Sequence, residues 1–418
     1  MSIPAPTTGY VLAGCRLWDG TAATTTDDQA VWVAPDGRVR AVGDAQHVLD
    51  DARADRVPVH DLGGAVVVPG LVNMHVHLSL ALPGPMEAAI QGANLAELVL
   101  HMAGNGRGAL HAGVTSARLV GESRFADMAL RKAIRNGFVD GPRIWTAGHA
   151  LCCTGGHGHG ADAQEADGAD GFRRATREQL RAGADLIKVC ISGGIAGEHE
   201  AIDTPQLTDE EMTAVIETAH DWGRKVTAHA GPAPVVERAV ALGLDCVEHG
   251  YELTAELSAT MAARGVSYVP TITVSRCEDF FRANGIPEWM IERALGAGPR
   301  HWESLQHAIA AGVEILMGSD MPPHADYDET SATVREMEFM ADAGMSPRDV
   351  LVSATSAAAR WLGAADEIGA LAPGAFADLL VLDADPLADV AALRTLHTVV
   401  QGGRVVRDDR TLLAGARP

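Results

Sequence analysis

Two histidines spaced i, i+2 close an apolar run in Val66-Val67-Val68-Pro69-Gly70-Leu71-Val72-Asn73-Met74-His75-Val76-His77-Leu78. On a strand that spacing puts both imidazoles on one face, side by side, as a chelate for a divalent ion. A lone pair of this kind is more often just two histidines on an ordinary strand. Here Lys188, His229, His249 and Asp320 follow, each within or at the end of another apolar run. Imidazole and carboxylate donors suit zinc, manganese, nickel or iron.

Lys188 and Asp320 each have a plain reading and a chemical one. Lysine at a strand end ordinarily snorkels to solvent. In Asp185-Leu186-Ile187-Lys188-Val189-Cys190 it sits inside an apolar strand, where an ammonium is costly unless paired or neutralised. Carbamylation by carbon dioxide would convert it into an anionic ligand able to bridge two ions. Asp320, in Met317-Gly318-Ser319-Asp320-Met321-Pro322, reads either as a helix cap or as a metal-bound carboxylate that shuttles a proton.

The elements that must position these side chains follow from the apolar pattern. Eight short runs alternate with helical stretches: Val66–Leu78, Val114–Val120, Arg143–Gly148, Leu186–Cys190, Val226–Ala230, Cys246–Gly250, Ser267–Ile272 and Glu314–Asp320. They are continuously apolar, as strands buried on both faces should be. Eight β-then-α units predict an α/β chain forming a (β/α)8 TIM barrel over residues 66–365, whose active site lies at the C-terminal strand ends. Between them, Thr208 with Glu211 predicts a capping box opening a helix over Asp209–Trp222, and Pro234–Leu242 predicts a short helix. Residues 1–65 and 366–418 read instead as short strands and turns, with Asp36-Gly37 and Gly402-Gly403 as turn signals. They predict one small β-sandwich domain built from both termini. Gly155–Gly171 reads as a loop, either a mobile lid or a solvated connection.

Composition narrows the function classes. The 418 residues are 47% hydrophobic and carry 55 acidic against 33 basic side chains, a formal net charge of −22. Without a Lys/Arg cluster, nucleic acid and anionic membrane are not expected partners. No apolar stretch reaches the ~18–20 residues that span a bilayer. Met1–Asp19 shows no signal-peptide pattern, and six cysteines without a C-x-x-C motif suggest a reduced, cytoplasmic chain.

Taken in order, these motifs resemble the amidohydrolase superfamily over nearly the whole length. The matches are the His75-Val76-His77 segment, Ile187-Lys188, Ala228-His229-Ala230, Val247-Glu248-His249-Gly250, Gly318-Ser319-Asp320 and the closing Gly369–Asp383 stretch. Thr154-Gly155-Gly156-His157-Gly158 and Gly141-Pro142-Arg143 resemble the imidazolonepropionase-like branch, which includes Xaa-Pro dipeptidases and ochratoxin-type amidases. The resemblance implies two divalent ions, zinc the first choice, and a bridging carbamylated Lys188. His75, His77, Lys188 and Asp320 would hold one ion; Lys188, His229 and His249 would hold the other. The implied reaction is attack of metal-activated water on the amide of a dipeptide of Xaa-Pro type or an N-acyl amino acid. Asp320 and His249 would act at the reacting centre, and His157 and Tyr251 would stabilise the oxyanion. Arg118, His159 and His324 are the candidates for substrate contact, although Arg118 could equally clamp an internal aspartate. A deaminase or cyclic-amide hydrolase with one metal is the alternative. Relatives in this family commonly form homo-oligomers. The chain departs from many of them at His229-Ala230-Gly231-Pro232, where a second histidine is usual, and at Arg118-Leu119, where Arg-Asp is usual.

Overall fold

The computed structural model describes residues 9–413 except Ala81, Gln91, Ala161 and Asp328, with the backbone alone at Ala54 and Ala89. The first eight residues of the Met1–Asp19 stretch, residues 414–418, and Ala161 of the Gly155–Gly171 loop therefore lie outside the described residues.

The chain opens with β1 (Tyr10–Leu17), β2 (Thr26–Val33), β3 (Val39–Asp44), β4 (Val59–Asp61) and β5 (Val66–Pro69). The parallel strands follow: β6 (Leu71–Val76), β7 (Val114–Leu119), β8 (Arg143–Thr146), β9 (Ala150–Cys152), β10 (Ala163–Glu165), β11 (Ile187–Cys190), β12 (Val226–Pro232), β13 (Cys246–Glu252) and β14 (Ser267–Val269). A two-residue hairpin pair, β15 (Asp326–Tyr327) and β16 (Thr330–Ser331), precedes β17 (Leu379–Leu382), β18 (Leu396–Gln401) and β19 (Arg404–Asp408).

Both termini join in one mixed sheet ordered β19-β18-β17-β5-β1-β2-β3, with β4 also on β1. The expected sandwich is thus one continuous sheet, not two separate ones. β1 makes this possible. Its register slips between Leu12 and Cys15, around Gly14, so its first half pairs with β4 and its second half with β5. The sheet folds over its own core of Tyr10, Leu12, Val31, Val33, Leu379 and Val381. Helix Ala45–Ala54 covers the opposite face through Val48 and Ala52, against Val11 and Trp32.

The run Val66–Leu78 divides at Gly70. β5 pairs with β1 and β17 in the terminal sheet, whereas β6 pairs with β7. Gly70 lies where the two sheets meet, and a Cβ there would fall 2.2 Å from the Thr115 hydroxyl. Only glycine lets the chain pass at that distance.

The parallel strands form a ring through backbone hydrogen bonds. β6, β7 and β8 pair in order, and Asp185 N–H donates to Thr146 O at 2.8 Å to reach the β11-β12-β13-β14 group. The eighth run, Glu314–Asp320, is not a regular strand. It meets β14 at the Tyr268–Ile315 bridge and reaches β6 through Met74 N–H to Met317 O, 2.8 Å, and Asp320 N–H to His75 O, 2.9 Å. The third run is broken too. It turns at Gly148 (φ +73°) and resumes as β9, which pairs with β11. Helices with sequence-coded starts pack outside. Asn94 and Glu97 form a capping box on Leu95–His111, and Thr208 and Glu211 form one on Asp209–Asp221. Losing such a cap costs about 1 kcal/mol. Helix Ala233–Ala241 occupies the predicted 234–242 segment. Among the described residues no helix is long and apolar enough to cross a membrane.

Candidate metal centre

His75, His77, Lys188, His229, His249 and Asp320 all line one cavity of about 590 Å3. Three donor atoms lie almost in contact. His75 Nε2 is 3.2 Å and His77 Nε2 3.3 Å from Asp320 Oδ1, and the two nitrogens are 3.3 Å apart. A tetrahedral ion with ligands at about 2.0–2.1 Å requires donor separations of about 3.4 Å. These three side chains therefore already form one face of a coordination shell. His249 approaches from the other side, with Nδ1 3.9 Å from Asp320 Oδ2 and its ring 4.8 Å from that of His75.

A histidine binds a metal through a lone pair, so its other ring nitrogen must carry the proton and needs an acceptor. Each of the four histidines has one. His75 Nδ1–H donates to Glu248 Oε2 at 2.8 Å, and His77 Nδ1–H to Gly121 O at 2.7 Å, with Asp162 Oδ2 3.0 Å away. His249 Nδ1–H donates to Thr271 Oγ1 at 2.7 Å; that hydroxyl passes its own proton to Pro270 O. His229 Nε2–H donates to Gly193 O at 3.0 Å. The tautomers leave Nε2 of His75, His77 and His249, and Nδ1 of His229, free for an ion.

Charge states agree with the donor set at His229, His249 and Asp320, whereas His77 must give up a proton to bind an ion. Burial, reinforced by His157 and Lys188, holds His229 well below the usual histidine range. Burial and His229 do the same for His249. Both stay neutral, as ligands must. Burial opposes ionisation of Asp320, but His75 and His77 outweigh it and keep the carboxylate ionised. For His77 burial is likewise outweighed, by Asp162 and Asp320, and its pKa rises well above the usual value. Lys188 is 3% exposed and lines the cavity, yet it has no hydrogen-bond or ion-pair partner among the described residues.

Backbone geometry at the site departs from ordinary strand. His249 (φ +65°), Thr271 (φ +54°) and Asp320 (φ +54°) all adopt left-handed conformations, each at a cost of roughly 1–2 kcal/mol for a non-glycine residue. At His249 the consequence is visible. Adjacent strand residues point to opposite faces, but Glu248 and His249 both turn towards His75.

The remaining candidates separate. His157, His159 and Tyr251 line the cavity. His157 stacks on His229 with ring centroids 4.0 Å apart, and its Nδ1 lies 2.6 Å from Glu200 Oε1. Tyr251 stacks on His249 at 5.5 Å, and His159 Nδ1 bonds Gly156 O at 2.8 Å. Arg118 does not line the cavity. It is fully buried, its guanidinium donates to Glu248 Oε1 and Met74 O, and it stacks on Trp361. His324 is exposed, outside the cavity lining, with its ring against Gly108. The Gly155–Gly171 segment is not all loop: it contains β10 and the first turn of helix Gly168–Ala182. Sequence reasoning missed Glu248, Asp162, Glu200 and Thr271. Glu248 stood inside the quoted Val247-Glu248-His249-Gly250 motif. Thr271 stood inside the Ser267–Ile272 run and Asp162 inside the Gly155–Gly171 loop, while Glu200 lies where no periodicity marks it.

A family model described as the amidohydrolase family matches residues 66–406. The ochratoxinase of Aspergillus niger is 29% identical over 380 residues, covering 82% of this chain and 76% of its own. An imidazolonepropionase of Nocardia farcinica is 27% identical over 382 residues, 85% of each chain. A solved Xaa-Pro dipeptidase with methionine bound in its active site aligns with a TM-score of 0.83 at 26% identity, covering 96% of this chain and 100% of that one. These likenesses imply a TIM-barrel-type fold with mixed α/β content. The chain belongs to the amidohydrolase family and is an enzyme that hydrolyses carbon–nitrogen bonds.

Proposed function

We propose that the chain is a binuclear metal-dependent hydrolase of amide bonds, acting on dipeptides of Xaa-Pro type or N-acyl amino acids. One observation carries the reading: six donors from five segments converge on one cavity, with a hydrogen-bond acceptor at the second ring nitrogen of each of the four histidines. His75, His77 and Asp320 would hold one ion and His229 and His249 the other. Lys188, carbamylated, would bridge them; its unpartnered burial in the cavity supports this. Bound divalent ions would lower the pKa of a water and polarise the scissile carbonyl. Asp320, ionised, would take a proton from the attacking water and return it to the leaving nitrogen. His157, oriented by Glu200, and Tyr251 face the cavity where the carbonyl oxygen gains charge. Leu80, Leu82, Ile195, Val274, Phe281 and Met290 form an apolar wall suited to a large apolar group on one side of the amide. Residues 66–365 would be the catalytic (β/α)8 domain, and 1–65 with 366–418 its β domain.

The one-metal alternative, hydrolysis of a cyclic amide or deamination of a heterocycle, draws support from the compactness of the His75, His249 and Asp320 set. A panel of Xaa-Pro dipeptides, N-acyl amino acids and cyclic ureas, assayed with metal-loaded enzyme, separates the two. Turnover of the linear amides is expected. Turnover confined to the cyclic compounds would replace this reading with the alternative.

A further inference from the structure

Beneath the cavity, outside its lining, lies a buried charged array closed to solvent. The Arg118 guanidinium carbon sits 4.6 Å from the centroid of the Trp361 ring. Its Nη2 donates to Glu248 Oε1, which also accepts from the Thr227 hydroxyl. The second carboxylate oxygen accepts from His75 Nδ1 at 2.8 Å. Arg118 and Glu248 are both 0% exposed. A buried ion pair of this kind is weak evidence for stability, because apolar side chains of similar volume often serve as well or better. What it can supply is a fixed negative charge behind an imidazole. His77 Nδ1–H lies between Gly121 O and the part-exposed Asp162 carboxylate, whereas Gly193 O behind His229 and Thr271 Oγ1 behind His249 are neutral acceptors. A carboxylate draws the Nδ1 proton more strongly and leaves more electron density at Nε2. That nitrogen is the one facing His77 and Asp320.

We propose that Glu248, held by Arg118, is a positioning residue that fixes the His75 ring and sets the strength with which the centre grips its first divalent ion. The backbone adds a second reason. The left-handed turn at His249 lets consecutive residues serve the same site, Glu248 from beneath His75 and His249 from beside it. The role of Arg118 follows: it holds and orients the carboxylate from below, outside the cavity lining.

The inference rests on the metal-centre reading, and its test keeps the two apart. Zinc affinity of metal-stripped protein is measured by chelator competition, and the visible spectrum of the cobalt-loaded form is recorded. Wild type, Glu248→Gln and the double variant Arg118→Met/Glu248→Met are compared, with denaturant unfolding alongside. Failure of wild type to bind any divalent ion would defeat the metal-centre reading itself. With wild type binding, both variants are expected to bind zinc about 10–100-fold more weakly, with shifted cobalt bands. The double variant removes both members of the buried pair together, so it should unfold nearer the wild-type denaturant concentration than Glu248→Gln does. Wild-type zinc affinity and cobalt spectrum in either folded variant would overturn the proposal. So would failure of both variants to fold, which would make the pair a stability element.

Discussion

The two halves of the candidate centre are built differently. On one side, His75, His77 and Asp320 present donors 3.2–3.3 Å apart before any ion arrives. Two of their rings have carboxylates behind them, Glu248 and Asp162. On the other side, His229 and His249 hang from a carbonyl and a hydroxyl, and Lys188 has no hydrogen-bond or ion-pair partner among the described residues. The first half is preorganised by charge. The second lacks an anion, and a carbamate on Lys188 would supply it. An amide hydrolase with two ions should therefore fill these halves unequally, the first tightly and the second only once the lysine is modified.

The sharpest way to break this comparison is to remove the preorganised half. Asp320→Asn or His75→Ala should lower kcat/KM by about 1,000-fold or more while the circular dichroism spectrum stays that of wild type. Full turnover in either variant would remove the site from the chemistry. Lys188→Ala addresses the other half. It should lose one of two ions and about 100-fold or more in activity. Short carboxylic acids in bicarbonate-free buffer should restore part of both by occupying the bridge. Loss of both ions would show that the halves are not independent.

A smaller effect is expected from Thr271→Val, which removes the acceptor for His249 Nδ1–H. Affinity for the second ion should fall about 10-fold with the first unaffected, read by stepwise metal titration. The smallest effect concerns the support behind that threonine. His301 donates to Pro270 O at 2.7 Å, and its Nδ1 lies 2.9 Å from the Ser275 hydroxyl. Burial lowers its pKa to about 4. Because the unfolded histidine protonates near pH 6.5 and the folded one does not, its contribution is complete above that pH. It is lost progressively as pH falls from 6.5 to 4, and amounts to about 3 kcal/mol at most. In urea unfolding of metal-free protein, His301→Gln should flatten the fall in stability between pH 6.5 and 4. An unchanged slope would remove His301 from that dependence.

Much of this was legible in the sequence because the ligands stand at the ends of apolar runs, and a parallel ring of strands brings such ends together. The family and the six cavity-facing donors follow from order and spacing. What escaped did so for physical reasons. Arg118 read equally as a substrate clamp or as the partner of an internal aspartate, because a sequence gives residue type but not depth along the strand; it lies below the cavity, against the carboxylate of Glu248. Glu248 itself was hidden by strand alternation, which assigns it to the face opposite His249; only the left-handed backbone at His249 brings both inward. His324 and the break at Gly70 depend on contacts with Gly108 and Thr115 from other segments, which no local pattern encodes. The terminal strands were visible, but their union in one sheet turns on the register slip in β1 around Gly14.

The central claim, two ions bridged by a modified lysine, is most directly tested by native mass spectrometry of protein purified without chelator, with peptide mapping of Lys188. Two divalent ions per chain and one added carboxyl group on Lys188 are expected. A single ion beside an unmodified lysine would contradict the binuclear account and leave the one-metal chemistry in its place.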